Sequence, residues 1–484
     1  MWEDLNIDTN SPAYLQIKEY IAKLIANGSL REGVRLPSTR ELSQILKVSR
    51  NTIILAYEEL QNLQLIQNIR GQGAFVCQSS LSPQEQLKLE WTDRVNGYGN
   101  TALNLVQNLR KFPWRDGMIS FNSLAPDESI FEVEEVKRAF LNRIALEGER
   151  LLNYGETKGY RPLILWLKSY LEGKGVDFHD KDILITTGFT EGLNLILAAL
   201  TNPGQRIVCE NPTHNLAINA MKLAGLQIIG IPLHENGIDL QELESSLAAG
   251  DIRLGFVMPS YHNPTGLVMS PDRRMKVLKL FEKYRTPLVE EGFNEELRYS
   301  GSHVSPLLAL SGRANHVVYL GSFTKILFPA IRIGWIIADA KLIAYLESIK
   351  LYRNIYTSPF DQAILYEYLE YGKFGQYLKR AKRLYKAKYE KALEFAKIYL
   401  PCQRIWGDGG LHLFIELHEV NAKELLAYCY TQGVLFTTGE IFYTNGQGAN
   451  TFRLSISRVD TDEMEKGFKI IGEGIRFLTG ISNP

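Results

Sequence analysis

Five short polar segments carry residue types that can act together: Gly188-Phe189-Thr190, Asn211-Pro212-Thr213-His214, Asn263-Pro264-Thr265-Gly266, Glu290-Glu291 and Gly321-Ser322-Phe323-Thr324-Lys325. They bring a lysine amine, hydroxyls, an amide, a carboxylate and a ring. Gly188-Phe189-Thr190 opens a helical run, where free backbone N–H groups suit a phosphate. Taken singly, each segment has a plainer reading: Asn-Pro-Thr-Gly is a turn signal, Thr190 can be a helix cap, and Lys325 can be a solvated charge.

What brings the segments together is the rhythm around them. Short β-branched runs at 182–186, 206–209, 254–258, 288–290 and 317–320 alternate with helical stretches reaching Leu200 and Leu223. Such alternation implies a mainly parallel sheet with helices on both faces. Ligands of open α/β sheets bind outside the carboxyl ends of the strands, and each polar segment follows one of these runs, so all of them face one crevice. From about residue 361 the pattern turns to long helices and a few strands, a smaller C-terminal domain of α+β type.

The N-terminal residues form a separate small unit. Tyr14, Ile17, Ile21, Leu24 and Ile25 share one helical face. Ser38 with Glu41 makes a capping box for a second helix. A third helix starts near Ser49 and carries Ile53, Ala56, Tyr57, Leu60 and Leu63 on one side, and an alternating stretch with Gly71 and Gly73 reads as a hairpin. Three helices and a hairpin make a winged helix. The expected division is 1–78 for the winged helix-turn-helix, 79–117 for a linker with at most a short helix near 83–95, 118–360 for the large domain and 361–484 for the small one.

Bulk composition bounds the function classes. Fifty-four basic residues balance fifty-four acidic ones in 484 residues, so any contact with nucleic acid must be local. The acidic start and the short apolar runs contain no signal core or membrane span, which makes a cytoplasmic location the expectation. Cys77, Cys209, Cys402 and Cys429 are widely separated and form no Cys-x-x-Cys pair, so no metal site is expected.

In order and spacing the strand-end segments resemble fold-type I pyridoxal-phosphate enzymes of aminotransferase type. With the N-terminal unit, the whole chain resembles the MocR group of GntR-type regulators. The resemblance implies pyridoxal 5'-phosphate in Schiff-base linkage to Lys325. The phosphate would be held by Ser322, Thr190 and a bidentate Arg332, with Thr324, Gly188 and Phe189 beside them. Asn263 would hydrogen-bond the pyridine hydroxyl, and His214 falls where the family stacks an aromatic residue on the ring. Tyr154 resembles the tyrosine that reaches the phosphate bound in the partner subunit of a homodimer, and Arg453, in Phe-Arg-Leu-Ser, the arginine that grips a substrate carboxylate. Two positions depart from the pattern: Glu291 stands where the family has Asp facing the ring nitrogen, and Phe293 where it has Tyr.

The head resembles GntR proteins through Arg35-Leu36-Pro37-Ser38-Thr39-Arg40, Ser49-Arg50-Asn51-Thr52 and Arg70-Gly71-Gln72-Gly73. Ser49, Arg50, Asn51 and Thr52 open the second helix of the motif and become the expected readers of double-stranded promoter DNA. Arg40 and Arg70, the latter beside Gly71 in the wing, would hold phosphates or approach the minor groove. Gln64 replaces the glycine usual before the wing. Residues 1–76 carry eight basic and eight acidic side chains, and a dimer with two heads would compensate for that neutrality. The leading expectation is a regulator that senses an amino compound through a cofactor-bound domain, with low or no turnover because of Glu291 and Phe293. The alternatives are an active aminotransferase carrying a DNA-binding head, and a DNA-binding protein whose cofactor domain serves only for dimerisation.

Overall fold

The structure is a computed structural model and describes residues 2, 5, 7–8, 11–77, 89–107, 112–292, 295–299, 304–371 and 373–480. It divides into two compact units, Met1–Val95 and Asn96–Pro484.

In the first unit, α1 (Ala13–Ala26) buries Ile17, Ile21 and Ile25, every fourth residue on one face. α2 (Thr39–Leu46) starts with the expected capping box: the Glu41 N–H donates to Ser38 Oγ at 3.2 Å and the Ser38 N–H to Glu41 Oε2 at 2.7 Å. α3 (Arg50–Asn62) is capped by Ser49 and buries Ile53, Ala56, Tyr57 and Leu60. The hairpin β1 (Ile66–Ile69) and β2 (Gly73–Val76) is antiparallel. One pairing goes beyond the sequence reading: the segment before α2 lies along β2, with Leu36 N–H on Ala74 O at 2.8 Å and Val76 N–H on Val34 O at 2.9 Å. This ties the wing to the turn that precedes the helix-turn-helix.

Of the 83–95 stretch suggested as a short helix, 83–88 lie outside the described residues and the rest holds one 3-10 turn, Trp91–Asp93; the second unit opens with α4 (Gly97–Gln107). β3 (Ile119–Ser120), α5 (Val133–Glu147) and α6 (Arg161–Glu172) follow. The main sheet uses β4 (Lys181–Thr186), β5 (Arg206–Asn211), β6 (Gln227–His234), β7 (Gly237–Ile238), β8 (Ile252–Val257), β9 (Leu288–Gly292), β10 (Val317–Ser322) and β11 (Gly334–Asp339). Its eight strands run in the order β4-β11-β10-β9-β8-β5-β6-β7. β10, β9, β8, β5 and β6 are parallel neighbours, while β11 runs antiparallel to both β10 and β4. Alternate residues of one strand go to opposite cores: Ile183 and Ile185 join the side covered by α6, and Leu184 joins the side covered by α7 (Gly188–Leu200) and α8 (Asn215–Leu223). Burial on both faces explains why these strands read as nearly continuous apolar runs.

The small layer is an antiparallel sheet in the order β12-β13-β16-β15, from β12 (Arg404–Trp406), β13 (His412–Glu416), β15 (Thr437–Thr438) and β16 (Thr451–Ser455). Beside it, β14 (Val434–Leu435) pairs parallel with β3. Packing crosses the boundary expected at residue 360. Ile119 and Phe121 belong to the core of the small layer, whereas Ile364, Leu365, Tyr368 and Leu369 belong to that of the large sheet. The helix Lys373–Tyr399 serves both, placing Phe374 to Tyr385 in the first core and Tyr389 to Phe395 in the second. A periodicity reading sees one continuous helix and cannot tell which core each turn enters.

Candidate functional site

The carboxyl ends of β4, β5, β9 and β10 converge on a cavity of about 360 Å³, joined by the loop after β8 and by the residues entering β11. Each corner is built by local chemistry. At the β4 corner the chain turns into α7 through Gly188, whose φ of +79° is the left-handed region that glycine alone adopts freely. A Cβ there would stand 3.0 Å from Nη2 of Arg332, so the bare glycine lets the guanidinium lie against the helix start. The N-cap residue of α7, Thr187, makes no side-chain cap hydrogen bond, while its own N–H donates to Glu191 Oε2. At the β10 corner Ser322 Oγ and Thr324 Oγ1 lie 2.5 Å apart, Ser322 Oγ accepts from the Thr324 N–H at 3.1 Å and donates to Ile333 O at 3.1 Å. Lys325 follows on the same turn.

β9 shows how alternation assigns roles to two adjacent glutamates. Successive side chains of a strand point to opposite faces. Glu290 points away from the cavity, where its carboxylate accepts the N–H groups of Leu307 and Leu308 at 2.7 and 2.8 Å, and burial pushes its pKa up to about 8. Glu291 faces the cavity, and its Oε2 lies 3.1 Å from His214 Nδ1 at the β5 corner. The His214 ring packs against Phe189, centroids 5.1 Å apart and tilted by 33°.

The inner wall is cationic. Arg453, on β16, is buried and donates to Asn263 Oδ1 at 2.8 Å and to Asn122 O at 3.1 Å, while its Nε has no partner among the described residues. Burial pushes the Arg453 pKa down to about 9. Below it, burial, reinforced by the Arg453 charge, drives His412 down to about 3, so this histidine is neutral. Among the described residues no carboxylate pairs with Arg453, and a buried charge without a counter-charge is costly. Burial, with the charges of Arg453 and Arg332, also lowers Lys325 to about 8 against the opposing pull of Glu291. Near pH 8 about half of this amine is neutral and nucleophilic.

In the first unit, the exposed start of α3 presents Arg50 and Asn51 to solvent. Ser49 Oγ accepts the Thr52 N–H at 3.1 Å and lies 2.8 Å from Thr52 Oγ1, so the two hydroxyls serve each other and the helix cap. Arg50 Nε donates to Thr39 Oγ1 at 3.3 Å, linking the two helices of the motif. Arg40 is exposed, as are Arg70 and Gly71 at the wing tip, where Gly71 has φ +80°. Gln64 sits in the left-handed region at φ +57°, with its N–H on Gln61 O at 2.9 Å and the next N–H on Leu60 O at 3.0 Å. That is the helix-ending turn for which glycine is the usual residue.

Comparison with known proteins places both units. The family model Aminotransferase class I and II matches residues 118–471, well over half of the chain. The chain belongs to the class I and II aminotransferase family. The model Bacterial regulatory proteins, gntR family matches residues 13–76, so a GntR-type DNA-binding domain is fused to an aminotransferase-like domain, the arrangement of MocR-type regulators. The chain is similar to the uncharacterized HTH-type transcriptional regulator YdfD of Bacillus subtilis, 27% identical with 96% of this chain and 97% of that protein covered. It is also similar to the probable rhizopine catabolism regulatory protein MocR of Rhizobium meliloti, 26% identical with 93% and 88% covered. Its fold matches the crystal structure of LysN, the alpha-aminoadipate aminotransferase of Thermus thermophilus, complexed with N-(5'-phosphopyridoxyl)-L-leucine. The TM-score is 0.74 and the identity 27%, over 81% of this chain and 100% of that one.

In this MocR-type chain the cavity gathers Lys325, Ser322, Thr324, Arg332, Asn263, Glu291, His214, Phe189, Thr190 and Arg453, with Gly188 at its edge. Tyr154 is elsewhere: it is 81% exposed and touches Tyr356 edge-on at 6.0 Å. Phe293 lies outside the described residues. Sequence reading missed several contributors, among them Asn122, which gives its backbone carbonyl to Arg453, and Asn215 on the cavity wall. It also missed Lys350, wholly buried, which donates to Thr157 O at 2.8 Å and Ile185 O at 2.7 Å and so ties the Tyr154 loop to β4. A lysine within an ordinary amphipathic helix carries no signal of that role. Among the described residues no helix is long and apolar enough to cross a membrane, and no group of three metal-ligating side chains occurs.

Proposed function

We propose that this chain is a pyridoxal 5'-phosphate-dependent transcription regulator, binding promoter DNA through its head and sensing an amino compound in the strand-end cavity. The observation that carries the reading is Lys325, an amine lowered to about 8 in a cavity that also holds Arg332, an uncapped helix start and a buried arginine with no acidic partner among the described residues. These residues fit the cofactor. Ser322, Thr324, Thr190 and Arg332, with the backbone around Gly188, would hold the phosphate; Asn263 would meet the ring hydroxyl, and Glu291 the ring nitrogen. When bound, pyridoxal phosphate supplies an aldehyde for amine capture and an electron-withdrawing ring. Arg453 would orient the carboxylate of an amino acid, since among the described residues its Nε is left without a partner and its charge without a counter-ion.

The homodimer belongs to the same proposal. Leu152, Tyr154 and Tyr352 are 76, 81 and 90% exposed, and an apolar surface of this kind suits a partner subunit, to whose phosphate Tyr154 would then reach. In the head, Arg50 and Asn51 would read bases, and Arg40 and Arg70 would hold phosphates.

The test selects duplexes from a random pool with the full-length protein, then measures their binding with pyridoxal phosphate and a panel of amino acids and amines. One amine should change the affinity several-fold in the loaded wild type and leave Lys325→Ala unchanged. An equal response from Lys325→Ala would overturn sensing at this site. The enzyme alternative draws on the depressed Lys325 amine, which suits turnover as well as capture. It gains the upper hand if the protein transaminates a simple amino acid at about 1 per second or faster.

A further inference from the structure

Glu291 carries one more methylene than the aspartate its position resembles, which frees its carboxylate to swing over roughly 1.5 Å, the length of a C–C bond. In the structure that freedom is used up. His214 Nδ1 stands 3.1 Å from Oε2 of Glu291, with the side chains only 12% and 6% exposed. The imidazole is available for this contact because it does not cap the helix it precedes: His214 is the N-cap residue of α8, yet makes no side-chain cap hydrogen bond. Its neighbours hold it in place. The preceding N–H, of Thr213, donates to Phe442 O at 2.8 Å, the His214 carbonyl accepts the Ile218 N–H at 3.0 Å, and Phe189 packs on the ring. On the other side, Glu291 sits in the middle of the parallel sheet, in register with Leu320 of β10. Both side chains therefore stand on anchored backbone.

We infer that His214 is a positioning residue whose ring nitrogen fixes the Glu291 carboxylate, so that the longer acid and the histidine work as one unit facing the cofactor. The inference rests on the cofactor reading given above. An aromatic residue without a nitrogen can cover a ring but cannot hold the carboxylate, and an acid shorter by one C–C bond, roughly 1.5 Å, is withdrawn from the His214 nitrogen. The pair therefore makes a coupled prediction that neither residue makes alone.

The experiment is a double-mutant cycle on the full-length protein. Wild type, His214→Phe, Glu291→Asp and the double variant are stripped of cofactor and titrated with pyridoxal phosphate by equilibrium dialysis, and the absorption spectrum of each complex is recorded. With glutamate in place, His214→Phe should weaken cofactor binding about tenfold, the scale of a hydrogen bond to a charged group, and move the visible band. In the Glu291→Asp background the same substitution should cost less than twofold. His214→Leu, a smaller replacement with no hydrogen-bonding atom, enters the same cycle should the phenylalanine variant fail to fold. Equal losses in both backgrounds, or no loss with glutamate present, would overturn the pairing while leaving the cofactor reading intact. A wild type that takes up no pyridoxal phosphate would instead sink the cofactor reading itself.

Discussion

The two helices of the head's helix-turn-helix, α2 and α3, and the two helices at the strand-end cavity, α7 and α8, begin in opposite ways. In the head, Ser38 and Ser49 spend their hydroxyls on the first N–H groups of α2 and α3. In the cavity, Thr187 and His214 precede α7 and α8 without capping them. A capped start is stable by itself and presents its exposed side chains outward, as α3 does with Arg50 and Asn51. An uncapped start leaves N–H groups whose needs a bound anion can meet. On the function proposed above, the difference fits a docking surface at α3 and an anion-holding recess at α7.

The strongest break in this contrast is Gly188→Val. A branched side chain at φ +79° is strained, which lowers stability, and its Cβ would push Arg332 aside; losing that charge-assisted contact should cost about 3 kcal/mol of cofactor binding, on the order of a hundredfold, read by dialysis. Unchanged affinity would mean that the α7 start holds no phosphate. Ser49→Ala should cost less, about 1 kcal/mol of head stability, the usual value of a lost N-cap. Hydrogen exchange of α3 amides in the full-length protein would show it, with cofactor binding unaffected. Smallest, and opposite in sign, is Gln64→Gly, which relieves a left-handed residue at φ +57°. After the added chain entropy of glycine it should stabilise the head by about 0.5 kcal/mol in the same measurement.

The contrast also explains what the sequence could show. The head was legible because its rules are local: apolar residues every fourth position in α1, a serine three residues before Glu41, and glycines at the hairpin turn. The strand-end segments were legible for the same reason, since each follows its own strand. Their mutual arrangement was not. Arg453 meets Asn263 across 190 residues of chain and His214 meets Glu291 across 77, contacts that only the sheet order creates. Residues 97–107 read as linker because Gly97, Gly99 and Asn100 are helix breakers in isolation; packing of α4 on α8 outweighs them. The Ser49 and Thr52 hydroxyls, expected to read DNA, lie 2.8 Å apart and serve the helix cap, while Arg50 and Asn51 stand exposed on the same turn.

The central claim is that Lys325 is the amine that takes pyridoxal phosphate, and its lowered pKa makes the claim measurable. Only the neutral amine attacks an aldehyde, so a lysine lowered to about 8 should react with a rate that rises about tenfold per unit below that pH and levels above it. The measurement incubates the full-length protein with the cofactor from pH 6 to 11, reduces with borohydride and maps the modified peptide at early times. The account expects one adduct, on Lys325, reaching half its plateau rate near pH 8 and absent in Lys325→Ala. Labelling scattered over surface lysines, or a rate still climbing beyond pH 10, would contradict it.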